Sequence, residues 1–391
     1  MTGLILLAQV TIGLQATPVL TRADPSAGGP SRTELRVVAP LAFATAHLAG
    51  GRIALHAMLN GEGWTMREGQ LATGVWGEGF SDRRHPHTWA HELVLTAQDV
   101  VRLPGVRWSV TAGKGFAPYG TEDPMNRPAL QYPVNHHWSQ VLERAVLIAG
   151  VSAGPVVLEA GTFNGDEPER WDTWPNWSRF ADSWSARAFV RPGGGVELQL
   201  SHAMVKSPEH RNGSGLDHIM WNASASIARA VRPGMLYAMA EWAHADEEGA
   251  YQYSSFLAET QLRFGPNRAY LRGERTDRPE EQRILGNDFR SVRPHNENSN
   301  LGTTRWTTVS AGYARRLPAI AGRVRLEGIA ELARAHVTNV TGIVFDPTLF
   351  YGKNDLWLLS VGLRVAAGEP VHRMGRYGVA MAGQTMREHH H

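Results

Sequence analysis

The chain of 391 residues contains no cysteine, which removes disulfides, thiolate metal sites and cysteine nucleophiles together. It has no run of about 18 consecutive apolar residues, so it offers no helix able to span a bilayer. It also lacks an excess of either charge, with 39 basic residues against 37 acidic ones. The basic residues are mostly Arg, scattered rather than clustered. That excludes a nucleic-acid partner, which needs a concentrated basic face.

What is present is a period of two. From Val196 to Ser201 the even positions are aliphatic and the odd ones polar, and from Arg323 to Glu327 the odd positions carry the charges. Such alternation marks a strand whose two faces meet different media. About sixteen segments of this kind run from end to end with no helical period between them: 3–16, 35–48, 52–60, 91–101, 106–116, 140–151, 156–165, 183–191, 196–206, 217–230, 235–246, 250–264, 267–277, 304–316, 323–338 and 355–367.

The connections alternate as well. After even-numbered strands they are tight, as in Ala49-Gly50-Gly51, Ala153-Gly154-Pro155 and Gly193-Gly194-Gly195. The others are mostly long and polar: 17–34, 61–90, 117–139, 166–182, 278–303 and 339–354. Short turns on one rim and long loops on the other predict an all-β fold, a transmembrane antiparallel β-barrel. By that rule the short turns are periplasmic, the long loops extracellular, and the location is the bacterial outer membrane. The barrel is expected over 1–368, with a short C-terminal tail over 369–391. Thirteen Trp suit interfacial girdles, and Trp171, Trp174, Trp177 and Trp184 read as girdle and loop packing rather than as a ligand platform.

The N-terminus reads as a first strand in preference to a signal-peptide core, because the positive segment that should precede Leu4 to Leu7 is missing. His389 to His391 are assigned no function.

Facing follows from parity. Leu198, Leu200, Leu236, Trp242, Leu326, Leu359, Val361 and Val365 are expected toward lipid. Glu197, Gln199, Glu241, Arg268, Arg272, Glu274, Arg323, Arg325, Glu327 and Arg364 are expected toward the lumen, since a charge in the lipid face costs a few kcal/mol.

The long loops carry motifs. Asp82-Arg83-Arg84-His85-Pro86-His87, Met125-Asn126-Arg127-Pro128, His136-His137-Trp138, Phe163-Asn164-Gly165-Asp166-Glu167-Pro168 and Ser207-Pro208-Glu209 resemble a family of predicted Gram-negative outer-membrane β-barrel, porin-like proteins. The likeness spans most of 35–280; Arg84 replaces the family's usual Gln, and Thr88 its usual Asp. The resemblance implies a barrel in the outer membrane and supplies no substrate.

The same loops hold the candidate site. Asp82, Arg83, His85, His87, Arg127, His136 and His137 are expected to converge at the barrel mouth and narrow it, above the charged wall of Arg268, Arg272, Glu274, Arg323, Arg325 and Glu327. His85 and His87, two apart, point the same way in an extended chain; with His136 and His137 they offer a possible site for Zn, Cu or Ni. No catalytic set is found, and an enzyme is not expected. Gly150-Val151-Ser152-Ala153-Gly154 matches a nucleophile elbow in letters, but another strand follows it instead of a helix. Ala112-Gly113-Lys114-Gly115 is no phosphate loop. The expected function is a porin-like channel for small solutes or ions, with no required cofactor and membrane lipid as its surroundings. A metal-handling protein is the alternative. Nothing in the sequence fixes an oligomeric state.

Overall fold

A computed structural model describes residues 9–24, 31–65, 87–101, 103–121, 127–141, 143–168, 170–281, 283–284, 287–291, 300–341, 346–370 and 373–381. Sixteen antiparallel strands close into one barrel. They are β1 (Gln9–Asp24), β2 (Arg32–Leu48), β3 (Ile53–Asn60), β4 (Ala90–Gln98), β5 (Val106–Gly115), β6 (Arg144–Ala153), β7 (Val156–Phe163) and β8 (Ser183–Gly193). The second half adds β9 (Val196–Val205), β10 (His218–Val231), β11 (Gly234–Glu247), β12 (Tyr251–Phe264), β13 (Asn267–Glu281), β16 (Asn300–Ile320), β17 (Val324–Thr341) and β18 (Asp355–Gly368). A small hairpin, β14 (Arg283–Ile284) with β15 (Asn287–Ser291), stands outside the barrel in the β13–β16 connection. Each barrel strand pairs with its neighbours in the chain, and β18 pairs with β1. Closure leaves no barrel strand with an unpaired edge, the condition for crossing hydrocarbon with strands.

The tight turns gather on one rim. At Gly195 the backbone has φ +77°, and a Cβ would lie 1.8 Å from the Ala228 carbonyl oxygen, so only glycine fits this crowded reversal. Among the described residues, three short α-helices lie in other connections: α1 (Glu62–Thr65), α2 (His136–Ser139) and α3 (Pro347–Tyr351).

The faces sort as parity requires. Leu198 and Leu200 are 46% and 51% exposed, while Glu197 and Gln199 between and beside them are 5% exposed. Leu271, Leu332, Trp357, Leu359 and Val361 are likewise exposed on the outer face. Arg268, Arg272, Glu274 and Glu241 are buried on the inner one. An apolar exterior around a charged interior inverts the usual soluble arrangement and suits a lipid environment.

Two expectations need correction. The first strand is described from Gln9 to Asp24 and so continues past the expected end at residue 16, which makes the connection to β2 much shorter than 17–34. Pro18 does not break the strand: it stands in register opposite Val37 of β2, just past a register shift between Gln15 and Thr17. Arg323 does not face the lumen: it is exposed in the turn before β17, which begins one residue later. Arg325 keeps its inward register but lies at the rim, exposed, and donates to the Gly368 carbonyl at 2.7 Å.

Candidate functional site within the barrel lumen

Among the described residues, two segments of the chain enter the lumen. The first is the β5–β6 connection, described over 116–121, 127–141 and 143. Phe116, Tyr119, Leu130, Tyr132, Val134 and Trp138 are all buried. Phe116, Leu130 and Tyr132 pack with Phe43 and Met58 of the wall, and Trp138 stacks on Tyr253 with ring centroids 4.7 Å apart. Gly120 permits the entry: its φ is +70°, and a Cβ would lie 1.6 Å from the Ser139 carbonyl oxygen.

An inward loop must still satisfy its backbone, and the wall carboxylates do so. Glu331 accepts from the Leu130 and Gln131 N–H groups at 2.8 and 2.9 Å, and from the Tyr270 hydroxyl at 2.8 Å. Glu274 accepts from the Val134 N–H at 2.9 Å. Glu241 accepts from Asn135 at 2.8 Å, pairs with Arg127 at 3.2 Å and accepts from the Thr121 hydroxyl. In return Arg268 donates to the Pro128 carbonyl at 2.8 Å and Arg272 to that of Gln131. Wall charges that alternation assigns to a pore therefore also bind the loop.

Beside this loop, His87, His91 and Glu143 bring one ligand-type atom each within 4.8 Å of one another, the one such group among the described residues. The register shift between Met58 and Leu59 opens β4 at His91, which turns it inward with Glu92. Glu143 holds a left-handed φ of +61° just before β6. Its carboxylate accepts from the Thr88 N–H at 2.8 and 3.0 Å, lies 2.6 Å from His91 Nδ1 and 3.6 Å from Lys114 Nζ. Burial alone would raise this carboxyl; Lys114, His91 and His87 together hold it at about 2. Burial, with His91 nearby, pushes the His87 imidazole down to about 3. Burial also takes His136 down to about 4, against the hydrogen bond from its Nδ1 to the Pro133 carbonyl at 3.1 Å. The resulting set is the imidazoles of His87 and His91 about the Glu143 carboxylate, which Lys114 Nζ already faces at 3.6 Å.

The second segment is 373–381, which turns back inside after β18 ends at the short-turn rim. Arg373, Met374, Arg376, Tyr377, Val379 and Ala380 are buried. Tyr377 accepts from the Phe116 N–H at 3.0 Å. Arg376 lies over the Phe189 ring at 3.8 Å, donates to the Thr121 carbonyl at 2.8 Å and faces Glu197 at 3.4 Å. Arg187, paired with Glu159 at 2.8 Å, donates to Gly120 at 3.2 Å and to Gly375 at 2.7 Å. One guanidinium thus holds both inserted segments to the wall.

Of the residues the sequence singles out, Asp82, Arg83 and His85 lie outside the described residues. His87, Arg127 and His136 are buried in the interior, and the His136 and His137 rings lie 3.9 Å apart. The metal-type group contains His87 of the expected four, joined by His91 and Glu143 instead of His136 and His137. Glu143, Arg187, Glu331, Arg376 and Tyr377 were not foreseen. Only Glu331 and Arg187 had a signal, each being a charge at inward parity in an alternating strand.

The barrel has clear structural counterparts. The anion-selective porin from Comamonas acidovorans superposes with a TM-score of 0.52 over 92% of this chain and 99% of that one, at 10% identity. The fold is that of the outer-membrane porins. A loop L8 deletion mutant of OmpT, an outer membrane protein of Vibrio cholerae, superposes at 0.51 with the same coverage and identity. At such identity the porin likeness is one of fold alone. No family model matches the sequence, and a comparison with curated proteins finds no match.

Proposed function

We propose that this porin-fold chain is a channel of the bacterial outer membrane, a passive or weakly selective passage for small solutes or ions. The observation that carries the reading is the inverted barrel: apolar side chains outside, and Arg and Glu lining an interior that the chain's own segments enter. The short-turn rim is then periplasmic and the long loops extracellular. The inserted segments, described over 116–121, 127–141, 143 and 373–381, narrow the passage, and Arg127, His87 and His136 are buried in the packing that narrows it. Low-dielectric surroundings make such groups act strongly on ions. Reconstitution into planar bilayers tests the proposal: discrete conductance steps are expected, and a folded protein that never conducts would overturn it.

The group of His87, His91 and Glu143 favours a second reading, a metal-handling protein for Zn, Cu or Ni. Lys114 already sets a positive charge 3.6 Å from Glu143, so a divalent ion would have to displace it. Stoichiometric metal after mild purification, lost in His87→Ala/His91→Ala, would establish this reading. Metal-free protein that conducts would dismiss it.

A further inference from the structure

At the short-turn rim, a row of charged side chains crosses five adjacent strands. Arg263 of β12 stands directly opposite Arg268 of β13. On the next strands Arg316 stands opposite Glu327, and Glu327 opposite Arg364. Like charges directly opposite each other destabilise a sheet unless something compensates. Glu327 compensates in part: Arg268 grips it with two donors at 2.6 and 3.1 Å, and Arg364 approaches at 3.4 Å. Among the described residues, Arg263 and Arg316 face no carboxylate within ion-pair distance, and Arg263 Nη1 is buried without an acceptor. Arg364 Nε is buried without one as well.

These groups surround a cavity of about 90 Å³, lined by Arg127, Arg263, Arg316, Arg325 and Arg364, with Glu327 and Glu369 as the opposing charges. Arg127 is already paired with Glu241. The site therefore has donors to spare and a positive surplus, in a space larger than one water needs. A cation has no place there, and an apolar molecule would leave the buried donors unsatisfied. What completes the site is an acceptor carrying negative charge with two or more oxygens, the shape a planar guanidinium binds in pairs.

We propose that this cavity binds a small soluble oxyanion, a carboxylate or phosphate, and that such anions are the substrate class of the channel proposed above. The start of the tail forms one wall, through Glu369, Pro370 and the contact of Arg325 with the Gly368 carbonyl. A bound anion thus sits between barrel and tail, where it bridges Arg263, Arg316 and Arg364.

Calorimetric titration of the full chain in detergent at low salt, with inorganic phosphate and with succinate, tests this. Saturable binding of at least one anion is expected, about tenfold weaker in Arg263→Gln/Arg364→Gln and unchanged in the loop variant Arg170→Gln. Thermal unfolding supplies a second readout that needs only the single variant. Arg263→Gln should stabilise the anion-free barrel by removing the repulsion with Arg268, and should shrink the upward shift in melting temperature that the anion gives the unaltered chain. No saturable binding of either anion, or equal binding in the double variant, overturns the proposal. Conductance without anion binding would remove this site and leave the channel standing; anion binding without conductance would do the reverse.

Discussion

The Tyr377 hydroxyl donates to a Glu92 carboxylate oxygen at 2.6 Å, joining the end of the chain to β4 across 285 residues. The Tyr377 hydroxyl oxygen in turn accepts from the Phe116 N–H, at the start of the inserted loop. One phenol therefore ties tail, wall and loop at a single point, and the two inserted segments brace each other.

That bracing predicts that the tail restricts the passage. Tyr377→Phe removes a hydrogen bond to a charged group, worth about 1.5–3 kcal/mol. We expect the barrel to persist, as judged by circular dichroism, while mean conductance in planar bilayers rises. A chain ending at residue 372 should conduct still more. Equal conductance in both variants and the unaltered chain would show that the tail does not restrict flow.

The loop has its own anchor in Glu241, whose carboxylate holds Arg127, Asn135 and Thr121. Glu241→Gln strips the buried Arg127 of this counter-charge, a loss of about 3–5 kcal/mol in comparable buried pairs. Because that energy docks a loop instead of closing the barrel, the expected signature is faster protease cleavage within the β5–β6 connection with the strands intact. Cleavage at the unaltered rate would mean that Glu331 and Glu274 suffice.

How much of this was legible depends on what alternation encodes. Alternation reports which medium each side chain meets, so Leu198, Leu200, Glu197 and Arg272 could be placed from the chain alone. It says nothing of what fills the lumen. Glu331 and Arg272 look the same whether they line open water or grip the backbone of Leu130 and Gln131. Arg376 and Tyr377 follow the last strand with no period at all, and their partners are more than 170 residues away. Arg323 was misplaced because a turn end and a strand start share the same letters, and only hydrogen bonding separates them.

The outer face makes a quantitative prediction. Val361 lies exposed near the middle of β18, with Leu359 beside it on the same face. Val361→Arg should cost about 2–4 kcal/mol in lipid vesicles, and less for the same change close to either rim. Urea unfolding of the barrel in lipid vesicles measures it. A change near zero would mean that this face does not meet hydrocarbon.

Acid should loosen the packing of the inserted loop against the segment that carries His87. His87 and His136 are held near 3 and 4 when buried, well below the ordinary value of 6.5. Released into water, each would bind a proton at higher pH than it does when docked. The released state therefore carries more protons, and docking weakens as pH falls. The loss begins near pH 6.5 and is complete for His136 near 4 and for His87 near 3. Glu143, held at about 2 against an ordinary 4.5, adds a further loss between those values. Lowering the pH of a planar bilayer from about 7 to about 4 should thus raise mean conductance reversibly, well before the strands unfold. His87→Phe/His136→Phe, which cannot take up these protons, should flatten the rise above the range where Glu143 titrates. A conductance that stays constant or falls over that range in the unaltered chain would show that the docked loop does not govern the passage.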